Sequence, residues 1–135
     1  MSTEPSTSGP SVAAESAVTA IYDQDHPTVA RVLVREGSAI TKLPDPLGEN
    51  NWMAWRERMR RVLRLCGVEA YVDGAVPIPQ GTTSLANWVY NDNYAQVIIT
   101  NNVASPEMLF VTKCDTARTM WKSLEDIHES RVTRL

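Results

Sequence analysis

The stretch NNWMAWRERMRRVLRLCG, residues 50 to 67, sets Arg56, Arg58, Arg60, Arg61 and Arg64 among Trp, Met, Val and Leu, with only Glu57 to offset them. Guanidinium groups at this density can hold phosphates, so a helix carrying them is a candidate nucleic-acid contact. At about 100° per residue, Arg56, Arg60 and Arg64 form a strip along one flank of the apolar stripe, while Arg58 and Arg61 point well away from it. A basic helix face is more often solvated or paired with acids than bound to phosphate, and both uses stay open. Base reading is disfavoured, because no Asn or Gln is interleaved on the exposed face.

Other chemistry is sparse. Cys66 and Cys114 stand at metal-ligand spacing to neither His26 nor His128, and no zinc knuckle, CxxC pair, GxSxG elbow or phosphate-binding glycine loop occurs. His128 reads as a helix-surface or boundary residue. The expectation is no enzyme, with no catalytic, cofactor or metal residues and no small-molecule substrate. Asp92 falls inside the stripe Leu85, Trp88, Ala95, Ile99, where an ionised carboxylate is costly unless paired. An ion pair or hydrogen bond at the edge of the core, for example with an arginine of the first helix, is favoured over a ligand or acid role. Tyr90, Tyr94 and Val97 form a weaker stripe that can pack against the N-terminal segment or a neighbouring helix, or dock a second copy.

The elements that position these residues follow from spacing. Trp52, Trp55, Met59, Val62, Leu63 and Cys66 recur at i, i+3 and i+4, which predicts a helix from about Trp52 to Cys66, capped by Asn51 and ended by Gly67. VEAYVDG adds a single turn before Gly74, and AVPIPQGTT is a loop. A second long helix runs from about Ser84 to Val103. Ser105-Pro106-Glu107 reads as N-cap, N1 proline and early acid of a short helix. The last helix begins after Asp115 or Thr116 and lines up Ala117, Met120, Trp121, Leu124 and Ile127. The fold class is all-α, a small bundle of four to five helices.

Residues 1–25 are Ser, Thr, Ala, Pro and Glu with almost no large apolar side chain, and are expected to be a disordered tail. Residues 26–48 form an irregular lead-in in which VARVLVREG can be strand, helix or neither, and 49–131 is the helical domain. Net charge is −3, yet Glu4, Glu15, Asp23 and Asp25 all precede the first basic residue, Arg31, so the folded part is close to neutral. A whole-domain basic footprint is missing. Two distant cysteines, no apolar run of membrane length and no signal-peptide pattern lead to the expectation of a soluble, cytoplasmic protein with no membrane partner.

LGENNWMAWRERM, GVEAYVDG, a proline-bearing loop, NWVYNDNYAQVII and TARTMWKSLEDIHES, in that order, resemble the N-terminal Gag region of Ty1/copia-type LTR retrotransposons. The matching positions are Leu47, Gly48, Asn51, Trp52, Trp55 and Met59, then Gly67, Tyr71, Val72 and Gly74, then Trp88, Asp92, Ala95, Ile99, Thr116, Ala117, Trp121 and Leu124. Two residues depart: Trp52 replaces the usual Tyr, and Glu69 sits where an aromatic often follows the glycine. The resemblance covers about residues 40 to 130, short of the second capsid lobe and zinc knuckle common in the family.

It implies a structural, capsid-like subunit that self-associates into a virus-like particle packaging the element's RNA. On that expectation Trp52, Trp55, Met59, Trp88, Ala95, Ile99, Ala117, Trp121 and Leu124 hold the core. Tyr90, Tyr94 and Val97 supply self-association contacts, and Arg56, Arg58, Arg60, Arg61 and Arg64 contact RNA or a neighbouring subunit. The alternative is a nucleic-acid-binding or protein-interaction module derived from such a domain, without shell assembly.

Overall fold

Tryptophans set the core. In the computed structural model, which describes residues 28–34 and 41–134 with side chains as far as Arg131, four α-helices and one 3-10 helix follow in order. They are α1 (Trp52–Leu65), α2 (Glu69–Val72), α3 (Thr82–Thr100), the 3-10 helix Ser105–Phe110 and α4 (Ala117–Arg134). The fold is all-α. Residues 1–25, expected to be a tail, lie outside the described residues.

Two compact units divide the chain. In the larger one, residues 31–34, 41–76 and 89–134, the apolar stripe of α1 buries Trp52, Trp55, Met59 and Leu63. Trp121 of α4 completes an aromatic cluster, with ring centroids 5.9 Å from Trp52 and 5.7 Å from Trp55. Such offset ring pairs add about 0.5–1.5 kcal/mol each beyond simple area burial. Ala95 and Ile99 from α3 and Ala117 and Leu124 from α4 are fully buried with them. In the smaller unit, Val29 donates its N–H to Ser84 Oγ (3.1 Å) and accepts from Asn87 Nδ2 (3.0 Å).

Helix ends differ from the sequence expectation at one terminus of α1 and agree at the other. Asn51 does not cap forward. Its Oδ1 accepts the Gly48 N–H (2.7 Å) and its Nδ2 donates to the Pro46 carbonyl (3.0 Å), so the amide braces the preceding turn. Gly67 has φ +80°, a left-handed conformation that costs glycine little. Its N–H donates to the Arg64 carbonyl and the Val68 N–H to that of Leu63, the paired bonds of a Schellman ending.

The expected stripe of α3 holds only in its second half. Ala95, Ile99 and Val103 are buried, but Leu85 is 38% exposed and Trp88, placed in the smaller unit, is half-buried. The helix spans Thr82–Thr100, not Ser84 to Val103. Beyond its end Val103 bridges Leu47 in parallel, the Leu47 N–H donating to the Asn102 carbonyl (2.7 Å) and the Ala104 N–H to the Leu47 carbonyl (2.9 Å).

Asn102 anchors the irregular residues 41–47. Its Oδ1 accepts the Leu43 N–H (2.7 Å), and its Nδ2 donates to the carbonyls of Thr41 and Ile98 (both 2.8 Å). The Asn102 carbonyl also accepts Trp55 Nε1 (2.8 Å). One buried residue thus satisfies backbone groups that a segment without regular structure leaves open.

Candidate functional site

On α1 the five arginines divide by partner. Arg64 holds Glu69 through two bonds, Nε to Oε1 (2.8 Å) and Nη2 to Oε2 (3.0 Å). Arg60 reaches Glu69 Oε2 (3.1 Å) and Asp73 Oδ1 (2.7 Å), with its guanidinium 5.2 Å from the Trp121 ring centroid. Because Gly67 turns the chain back, α2 and the residue that follows it lay Glu69 and Asp73 beside the flank on which Arg60 and Arg64 lie. The Arg64 hydrogen bond first, opposed by partial burial, holds the Glu69 carboxyl below its ordinary range. Bonds to Asp73 and to Glu69 raise the Arg60 and Arg64 guanidiniums, respectively.

Arg56, the third member of the strip, is half-buried, 3.9 Å from Glu57, with an enclosed Nε that lacks a hydrogen-bond partner. Arg58 and Arg61 stand apart: both are exposed, and neither forms an ion pair among the described residues. The strip pictured as a phosphate contact is therefore largely satisfied by protein carboxylates. The exposed charge of α1 lies outside the strip, on Arg58 and Arg61.

Asp92 is 3% exposed, and its partner is not an arginine of α1. Oδ1 accepts the Ala117 N–H (3.0 Å) and Oδ2 accepts Gln96 Nε2 (2.7 Å). A carboxylate on the first turn of α4 satisfies an open donor and meets the positive end of the helix dipole. Thr116 and Thr119 exchange N–H···Oγ bonds (3.1 Å each) to complete that cap.

His128 is not a surface residue. It is 1% exposed, stacked on Trp52 at 5.3 Å with 10° between the planes, and its Nε2 lies 2.6 Å from Glu107 Oε1. Arg131 Nη1 stands 3.6 Å from the other Glu107 oxygen, and Trp52 Nε1 donates to Glu129 Oε2 (2.6 Å). A recess of about 740 Å³ opens above, lined by residues 49–54 with His128 and Arg131. A histidine against an acid below a recess is a catalytic motif only if a substrate can touch one of them. Here both side chains are enclosed, and they tie the 3-10 helix to α4. Among the described residues, no cluster of His, Cys, Asp or Glu is arranged to hold a metal ion, and no helix is long and apolar enough to cross a membrane. Cys66 and Cys114 are unpaired thiols.

Of the α3 residues, Tyr90 is half-buried with the Arg31 guanidinium 4.2 Å from its ring centroid. Asn91 accepts the Val32 N–H (2.9 Å) and donates to the Tyr71 hydroxyl (2.9 Å), so residues 31–34 run along this helix. Packing against the N-terminal segment is thus realised at Tyr90. Tyr94 is half-buried, and Val97 is 52% exposed.

Sequence reasoning did not reach Asn102, the link of Glu107 to His128 or the role of Glu69. Only Glu69 left a signal: an acid five residues after Arg64 and nine after Arg60, just past a helix-ending glycine.

Neither curated proteins nor solved structures include a match to this chain. The model of one family, described as gag-polypeptide of LTR copia-type, matches residues 59–133, from the middle of α1 to the last turn of α4. The matched span exceeds half of the chain and carries the α2 acids, the Asp92 cap and the Glu107–His128 link, whereas Trp52, Trp55 and Asn102's partners Thr41 and Leu43 differ in this respect: they precede or flank it. The chain belongs to the gag-polypeptide family of LTR copia-type elements.

Proposed function

We propose that this Gag-family domain is a structural subunit that associates with further copies of itself into a cytoplasmic, virus-like particle, touching the element's RNA through α1. Family membership is the observation that carries the reading. Val89 and Val97, both exposed on α3, supply apolar area for a contact between copies, with Tyr94 one turn before Val97. Shell contacts can each be weak, because a closed assembly sums many of them. Arg58 and Arg61 are the residues best placed for phosphate. Light scattering of the purified chain with and without RNA tests it: a size that grows with concentration and with RNA is expected, and a strict monomer that ignores RNA refutes it.

A second reading, an RNA-binding module without assembly, is favoured by the same two exposed guanidiniums. It predicts a monomer whose RNA affinity falls steeply with salt and drops in R58A/R61A.

A further inference from the structure

Leu33 is 88% exposed and Leu65 is 58% exposed, and with Val32, Val34, Cys66 and Gly67 they line a recess of about 670 Å³ at the C-terminal end of α1. Arg61 lies one helical turn before Leu65, and Arg58 one turn before Arg61, on the same outward face. The result is an apolar floor with a basic approach.

Three occupants can be weighed by their chemistry. The same surface of a second copy, related by a twofold axis, meets Arg58 and Arg61 with their own like charges. RNA bases need a ring to stack on, and among the described residues no aromatic side chain lines the recess. A short peptide with large apolar side chains followed by carboxylates matches both the floor and the approach. This chain carries one such stretch, Ile21-Tyr22-Asp23-Gln24-Asp25, outside the described residues, with no basic residue before Arg31.

We propose that the recess docks Ile21–Asp25 of a second copy, Ile21 and Tyr22 resting on Leu33, Val34 and Leu65 while Asp23 and Asp25 meet Arg58 and Arg61. This deepens the self-association reading and rests on it. The contact is head-to-tail, so each copy offers one recess and one segment, and its repetition closes into a ring or continues as an open chain of copies. RNA phosphates compete with the segment for the same two guanidiniums.

Sedimentation velocity of the full chain tests it, with circular dichroism verifying unchanged helix content in the variants, whose substitutions are at exposed or terminal positions. D23K/D25K and R58E/R61E are each expected to self-associate roughly tenfold more weakly, since two surface ion pairs become repulsions. An equimolar mixture of the two is expected to recover association, because the segment of each variant then complements the recess of the other. A fluorescent peptide of residues 19–27 is expected to bind the wild-type chain and to lose roughly tenfold in affinity for R58E/R61E. If both charge variants associate as the wild type does, the inference is overturned and self-association stands. If the wild type stays monomeric at high concentration, the self-association reading fails and the second-copy occupant with it. Absence of peptide binding overturns the inference whatever the oligomeric state.

Discussion

Replacing Glu69 with Gln, alone and with Asp73→Asn, tests whether α2 silences the basic strip of α1. In the native fold Glu69 binds Arg64 through both oxygens and shares Arg60 with Asp73. Glu69→Gln keeps the shape and removes the charge, which releases Arg64 while Asp73 still holds Arg60. The double variant releases both. Each guanidinium that engages a phosphate on single-stranded RNA makes the slope of log affinity against log salt more negative by about 0.7. With Arg58 and Arg61 alone in contact, the wild-type slope is expected to be about −1.4, steepening to about −2.1 in E69Q and about −2.8 in E69Q/D73N. Anisotropy of a labelled RNA between about 50 and 200 mM salt resolves these steps. An unchanged slope in the double variant refutes the reasoning. So does a wild-type chain that loses RNA binding in R60A/R64A but keeps it in R58A/R61A, because the strip would then act despite its acids.

Asn102→Ala removes three side-chain bonds and strands the buried Leu43 N–H, a loss of about 3 kcal/mol that should lower the urea midpoint by about 2 M. A fall under a quarter of that would show the lead-in to be loosely held. Asp92→Ala uncovers the Ala117 N–H and removes charge from the α4 dipole, costing about 2 kcal/mol, whereas Asp92→Asn, which keeps an acceptor, is expected to cost about half as much by the same denaturation assay. On acidification, the Glu69 contribution follows the sign of its lowered carboxyl: present in full above the ordinary carboxylate range, it is lost as pH falls through the native value. Melting curves between neutral and acid pH should therefore fall less steeply in E69Q than in the wild type.

What the residues disclosed in advance was local. The period of α1 and α4 is legible because their apolar side chains face one way, so Trp52, Trp55, Met59, Trp121 and Leu124 mark the core without further help. Gly67 is legible as a cap because few other residues adopt its φ of +80° cheaply. Polar links between distant elements are not. Asn102 meets Leu43 across 59 residues and Glu107 meets His128 across 21, and nothing in the spacing of an Asn or a His names its partner. Asn51 misled for a related reason: its amide serves either the helix ahead or the turn behind, and only the fold decides. The first half of α3 reads as core by period, yet Leu85 is exposed and Trp88 half-buried, while Ser84 and Asn87 on the same turns bind backbone atoms of Val29.

Glu69 links these threads. As a departure from the family pattern it looks like a lost aromatic, but in the fold it is the acid that two arginines share. Glu69 and Asp73 take up two of the five arginines of α1, Arg56 is half-buried beside Glu57, and the exposed pair Arg58 and Arg61 sits beside the apolar recess at Leu65. If RNA and the acidic segment of a second copy both seek Arg58 and Arg61, wild-type RNA affinity must fall as self-association rises. In E69Q/D73N the freed Arg60 and Arg64 lie on the flank away from the recess, so RNA binding there should become insensitive to added peptide of residues 19–27. Competition that is as strong in the double variant as in the wild type would place RNA on Arg58 and Arg61 alone, and would leave the α2 acids a purely structural role.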